Sequence, residues 1–304
     1  MRFSIWPGYF WPWDEVVSLV EHCETTGWDG AYLADHFMPD SPDGSPADGP
    51  VLECWSTLAA LAGRTERLRL GTLVASVTYR HPATIAKAAA TIDVISSGRL
   101  VLGLGAGWQV NEHAAYGIAL GTLGERMDRF DEACSVVTSM LRNPRTTFAG
   151  RHYEVTDAPC DPSPVQARLP VLIGAKGPKR GLPIAARHAD EWNSWADPET
   201  FRERSAQLDR CCEEIGRDPA QIRRSTQALL FLSDDESWLA EQRATDMGGR
   251  PVMIGTSDQV AEVVGAYADA GVDELIIPDW TMHPCGGRTE TCDRFIEEIA
   301  PQFR

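Results

Sequence analysis

The sequence predicts an α/β fold: a single (β/α)8 TIM barrel over residues 1–304, with short insertions in its βα loops. Three observations predict it. Short apolar runs alternate with segments of helical period eight times along the 304 residues. No polar linker splits the chain. Most apolar runs end in polar, glycine or aromatic residues, the composition of a barrel's working end. A doubly wound open sheet is the rival architecture.

The first strand reads as Arg2–Ile5, and Asp14–Thr26 as its helix with Asp14 at the N-cap. A turn at Gly27–Gly30 leads to a second strand, Ala31–Ala34, ending at Asp35-His36. A Pro/Gly/Asp-rich loop spans Pro39–Pro50, followed by a helix near Leu52–Arg64. Leu68–Ala75 is the third strand, with the helix Pro82–Ile95 behind it, and Leu100–Leu104 is the fourth. A long helical region, interrupted near Gly117–Gly124, stops at Asn143-Pro144. Residues 145–168 read as a hairpin or extended excursion. Pro170–Ile173 and its helix around Leu182–Arg187 come next, then Glu191–Trp195 and the helix Pro198–Ile215. Arg224–Leu232 is the seventh strand, Asp258–Ala270 a helix, and 271–277 the eighth strand.

Bulk properties exclude several function classes. The net charge is −16 with 43% hydrophobic and 24% charged residues, which argues against a nucleic-acid partner. No apolar run reaches the roughly 18 residues of a membrane span. The N-terminus enters a strand without a signal-peptide core, so a cytoplasmic protein is expected. The eight cysteines show neither a CxxC pair nor metal-type spacing, which suits reduced thiols and no bound metal.

In a TIM barrel the working residues follow the strands. Gly103, Gly105 and Gly107 stand at one such tip, yet GxGxxG would need a glycine where Trp108 stands. Glycines there let backbone approach a flat ring, and a tight ligand-free turn is the alternative. Gly174-Ala175-Lys176-Gly177-Pro178-Lys179-Arg180 combines small residues with three cations before a helix, with Pro178 placed in the first helical turn. It reads as a phosphate site, or else as a solvated basic helix start. His36, at the second tip, is a general acid/base candidate or a structural histidine. No HExxH, GxSxG or zinc cluster occurs, so a bound cofactor is the natural carrier of chemistry. Of ten tryptophans, Trp6, Trp11, Trp13, Trp108 and Trp195 fall near strand tips, where they would wall an apolar substrate pocket.

Asp35-His36-Phe37, the run 76–82 (SVTYRHP), 97–100 (SGRL) leading to Gly103–Trp108, Gly174–Lys179 and 189–193 (ADEWN) together resemble the bacterial-luciferase-like flavin and deazaflavin oxidoreductases. Within them the chain is most similar to the subgroup that uses coenzyme F420. The resemblance implies a ring at the C-terminal ends of the strands, backed by a non-proline cis peptide at Ser76-Val77. It implies cofactor contacts from Asp35, Ser76, Val77, Thr78, Gly105, Ala106, Gly107 and Asn111. It also implies a phosphate grip by Gly174, Ala175, Lys176, Gly177 and Lys179, and proton handling by His36. Some F420-dependent relatives carry a glutamate where this chain has Trp108, and Glu112 reads as a helical turn away.

The resemblance thus implies a hydride-transferring oxidoreductase acting with F420 on a small organic substrate, an unsaturated C=C or C=N compound fitting the aromatic wall. The alternatives are an FMN-dependent monooxygenase fed by a partner reductase, and a flavin- or deazaflavin-binding protein without turnover. A homodimer is carried over from the family.

Overall fold

The computed structural model describes residues 1–282 and 287–304. In chain order, β1 (Arg2–Trp6), α1 (Trp13–Thr26), β2 (Gly30–Leu33), α2 (Cys54–Ala62), β3 (Arg69–Thr72), β4 (Ala75–Ser76) and α3 (Pro82–Ile95) form the first half-turn. Then follow β5 (Leu100–Gly105), α4 (Val110–Ala115), α5 (Leu123–Arg142), the hairpin β6 (Arg145–Ala149) and β7 (Glu154–Pro159), β8 (Val171–Gly174) and α6 (Gly181–His188). The remainder is β9 (Glu191–Asn193), α7 (Pro198–Glu214), β10 (Arg223–Gln227), β11 (Leu229–Leu232), α8 (Glu236–Ala244), β12 (Val252–Gly255), α9 (Ser257–Asp269), β13 (Glu274–Pro278) and α10 (Gly287–Arg294) with helical turns to Phe303.

The sheet closes. Neighbours run β1-β2-β3-β5-β8-β9-β10-β13 and back to β1, all parallel, and β4 resumes the β3 position alongside β5. This is the predicted (β/α)8 barrel. Its strands are buried on both faces, as a sheet wrapped by helices and filled from within must be, so they read as near-continuous apolar runs. β5 (LVLGLG) and β13 (ELIIP) are buried throughout. Each helix buries one stripe; in α1 it is Val16, Val17, Leu19, Val20 and Cys23. None of the described helices is long and apolar enough to cross a membrane.

The structure corrects the element reading at five places. The third strand is not continuous to Ala75: pairing stops at Thr72 and restarts at Ala75. The non-proline cis peptide lies in that gap, at Leu73–Val74 and not at Ser76–Val77. There the Val74 side chain fills space that glycines leave open. A Cβ on Gly105, Gly174 or Gly103 would meet it at 2.5, 3.0 and 3.1 Å. The bulge therefore depends on glycines from two other strands, which no local pattern announces.

The seventh strand divides as well. β10 belongs to the barrel, whereas β11 leaves it to pair with β12, which the sequence reading did not assign, nor did it assign α8 or the C-terminal helix. At α1 the cap position is Pro12, with no side-chain cap; Asp14 lies in the first turn instead, where its charge suits the helix dipole. Pro178 does not open a helix, because α6 starts three residues later at Gly181.

Candidate active site

Parallel pairing brings the tips after β2, β4, β5, β8, β9, β10 and β13 to one end of the barrel. Inside that mouth, Trp6 packs 5.0 Å from Trp280 and 5.8 Å from Trp195. Tyr9 and Val74 join the same apolar cluster with Tyr32, Leu73 and Leu172. These residues make an aromatic floor that sequence spacing alone had only partly suggested.

His36 stands at the rim of this floor. Its ring lies 5.2 Å from Tyr9 and 5.5 Å from Trp108. Its Nδ1 is 2.8 Å from Oε1 of Glu112, whose side chain is fully buried. That carboxylate also accepts from the Tyr79 hydroxyl, and at 2.7 Å from the backbone N–H of Phe37. Burial pushes the Glu112 carboxyl up, but the bonds from His36, Tyr79 and Phe37 outweigh it and hold it below the usual carboxylate range. An ionised carboxylate only accepts, so Nδ1 of His36 must carry the hydrogen, and Nε2 is left for another partner.

Glu112, which sequence spacing does not put in the site, is the acid that contacts His36. It was placed a helical turn beyond Trp108, and that turn, the first of α4, is what aims its carboxylate at His36. The signal that could have found it is an acid in the first turn of a helix that follows a strand tip.

Asp35 sits beside His36 in sequence but not in role. Both its oxygens accept from Arg80, at 2.8 and 3.1 Å, and one also from the Ser76 N–H at 3.1 Å. Arg80 continues to Glu53 at 2.5 Å, with its guanidinium 5.6 Å from the rings of Phe37 and Trp55. Burial raises the Asp35 carboxyl, and Arg80 opposes that shift. Asp35 is thus a strut joining the second and third tips.

A second chain of hydrogen bonds runs behind β4. Ser76 Oγ and Thr78 Oγ1 are 2.6 Å apart, and Thr78 reaches Nε2 of His113 at 2.7 Å. His113 Nδ1 is 2.6 Å from the Gln109 carbonyl, so it donates there and Nε2 accepts from Thr78. Gly107 needs to be glycine: its φ is +79°, and a Cβ would meet the Ser76 and Thr78 hydroxyls at 2.7 and 2.8 Å.

The remaining predicted residues divide. Val77 is a core side chain, and Gly105 and Gly174 give room to Val74, while Ala106 and Ala175 are half-buried at the mouth. Asn111 is buried; its Nδ2 donates to the Pro39 carbonyl at 2.9 Å and ties down the second loop, while its Oδ1 has no partner among the described residues. Trp11 donates to Asp279 at 3.2 Å beneath Arg288. Trp13 starts α1, 38% exposed and outside the aromatic cluster. Trp108 is 57% exposed and covers His36.

The loop after β8 is open. The chain holds three lysines, and two of them, Lys176 and Lys179, stand here exposed; among the described residues neither has an ion-pair partner. Arg180 is engaged by Asp128. Nothing lies within 4 Å of a Cβ built on Gly177, so its backbone is free to be approached. An apolar floor, a single imidazole at its rim and an open loop with two unpaired lysines fit a flat ring system with an anionic arm. No group of His, Cys, Asp and Glu among the described residues could hold a metal ion.

The family model described as luciferase-like monooxygenase matches residues 2–247. The F420-dependent glucose-6-phosphate dehydrogenase of Microbacterium testaceum (strain StLB037) is 30% identical, with 96% of this chain and 94% of that protein aligned. The F420-dependent hydroxymycolic acid dehydrogenase of Mycobacterium tuberculosis (strain ATCC 25618 / H37Rv) is 27% identical over 88% of this chain and 72% of its own. The coenzyme F420-dependent tetrahydromethanopterin reductase from Methanopyrus kandleri shares the fold, with a TM-score of 0.82, 18% identity, and 100% and 99% of the two chains covered.

Proposed function

The chain belongs to the luciferase-like monooxygenase family, and from that premise we propose that it is an F420-dependent oxidoreductase. The cofactor class rests on relatives along nearly the whole chain that carry that dependence in their names. The observation that carries the chemistry is the His36–Glu112 pair at the edge of the aromatic floor.

When bound, the deazaflavin supplies a ring carbon that gives or takes a hydride. Lys176, Lys179 and the backbone around Gly177 would hold its phosphate, with the floor around Val74 beneath its ring. His36 handles the proton that accompanies the hydride, at Nε2. Glu112 accepts from Nδ1 and so leaves Nε2 as the nitrogen that exchanges the proton, while Tyr79 donates to the same carboxylate and holds it in place. Glu112 therefore orients His36 rather than touching substrate.

The substrate class follows from what surrounds the rim. Arg80 is tied to Asp35 and Glu53, while Trp108, Tyr9 and Trp195 offer apolar faces. An uncharged, apolar compound with a C=C or C=N bond suits this wall better than a phosphorylated sugar.

Titration with F420 and, separately, FMN, followed by ring fluorescence, tests the cofactor; tight FMN binding without F420 binding overturns it. His36→Ala should slow reoxidation of reduced F420 by a panel of enones and imines about 10²–10⁴-fold, with far less change in cofactor affinity. Equal losses in both would make His36 structural.

A further inference from the structure

The barrel's opposite end, where the strands begin, holds a cavity of about 340 Å³ whose lining includes Arg2, Arg69, Arg168 and Arg223 with Asp190 and Glu191. Such N-terminal faces ordinarily serve stability, and part of this one does. Arg69 donates to Glu274 at 2.6 Å and Glu191 at 2.5 Å. Arg168 Nε donates to Asp190 at 2.6 Å, and Arg142 reaches the same carboxylate at 3.0 Å.

Those contacts leave donors over. Arg2 lies 3.3 Å from Glu274 and 4.0 Å from Glu191, and its guanidinium donates no hydrogen bond among the described residues, although its side chain is only 24% exposed. Arg223, on the first residue of β10, is exposed and has no ion pair or side-chain acceptor there. The terminal nitrogens of Arg168 are likewise without acceptors. The lining sets four arginines against two carboxylates, and Arg2 and Arg168 keep unbonded donors beside their ion pairs with Glu274 and Asp190, so this face carries an excess of positive charge on a chain of net charge −16. Gathering like charges in excess of their counter-charges is unfavourable, and the fork of a guanidinium matches an oxyanion with two parallel hydrogen bonds.

We propose that this cavity binds a small phosphate-type oxyanion, a phosphomonoester, through Arg2, Arg168 and Arg223. The site is independent of the cofactor reading, because it lies at the far end of the barrel from His36. Its volume falls at the lower end of small-ligand clefts, which leaves room for a group beyond the phosphate itself.

Thermal unfolding of the full chain in inorganic phosphate, against chloride at equal ionic strength, tests it. Phosphate at about ten times its Kd should raise Tm by roughly 2–4 °C. Arg223→Gln should weaken phosphate about tenfold and abolish most of the rise, with its own phosphate-free Tm unchanged, since that side chain is exposed. The pair Lys176→Gln with Lys179→Gln should keep the rise. An equal rise in chloride, a rise retained in Arg223→Gln, or one lost in the lysine pair overturns the proposal.

Discussion

The two ends of the barrel both bury carboxylates, but they partner them differently. At the N-terminal end, Glu274 and Glu191 meet Arg69 at 2.6 and 2.5 Å, and Ser4 adds a bond to Glu274 at 2.5 Å. These cations stay charged at any working pH. At the C-terminal end, Glu112 is held by an imidazole, a phenol and a backbone amide, and two of those donors can exchange protons. Asp35, a few ångströms of chain away, has a permanent cation in Arg80 and behaves like the far end. The difference is that Arg69 and Arg80 face their acids with a permanent charge, whereas Glu112 faces an imidazole that can exchange a proton.

The largest effect that would sharpen this contrast is at the strut. Glu274→Ala takes one of Arg69's two carboxylate acceptors and the nearest ion-pair partner of Arg2, and should cost about 3–5 kcal/mol, read from the urea midpoint at constant slope. A loss below about 1 kcal/mol would show that this end is not held by its charges.

Glu112→Gln should act more mildly and with pH. The Glu112 carboxyl is depressed in the folded chain, so its stabilisation is present above the unfolded value of about 4.3 and lost as pH falls through the lower folded one. The variant should therefore be about 1–3 kcal/mol less stable than wild type at pH 7, and the gap should close in acid. A gap that does not change with pH would remove the charge from the argument. Nitrogen-15 NMR of His36 adds a direct check: the neutral ring should be the Nδ1–H form in wild type and lose that preference in Glu112→Gln.

Trp108→Ala should change least in stability, within about 0.5 kcal/mol, because the ring is largely exposed. Its effect should fall instead on which unsaturated acceptors reoxidise the reduced cofactor. A variant with unchanged acceptor preference would take Trp108 out of the substrate wall.

Much of the fold was legible because period and punctuation are local. The helix Pro82–Ile95 agrees at both ends, with proline opening it, and the excursion over 145–168 is a hairpin. The errors fall where a distant residue decides. The break at Leu73–Val74 depends on Gly103, Gly105 and Gly174, and the division of β10 from β11 depends on a partner strand 23 residues downstream, Leu229 pairing with Val252. His36, Lys176 and Lys179 were singled out by their place after strands, and the structure puts them at the C-terminal ends of β2 and β8. The partners of Asp35 and Asn111 were not legible, since Arg80 and Pro39 engage them from other loops.

By itself, then, the sequence determined the barrel and the cofactor class, because alternation, strand tips and family motifs are written in neighbouring residues. Only the tertiary structure decided which acid contacts His36. Glu112 is 76 residues from it in the chain, and the pair exists because parallel closure brings the second and fourth tips together around Val74 and the glycines that accommodate it.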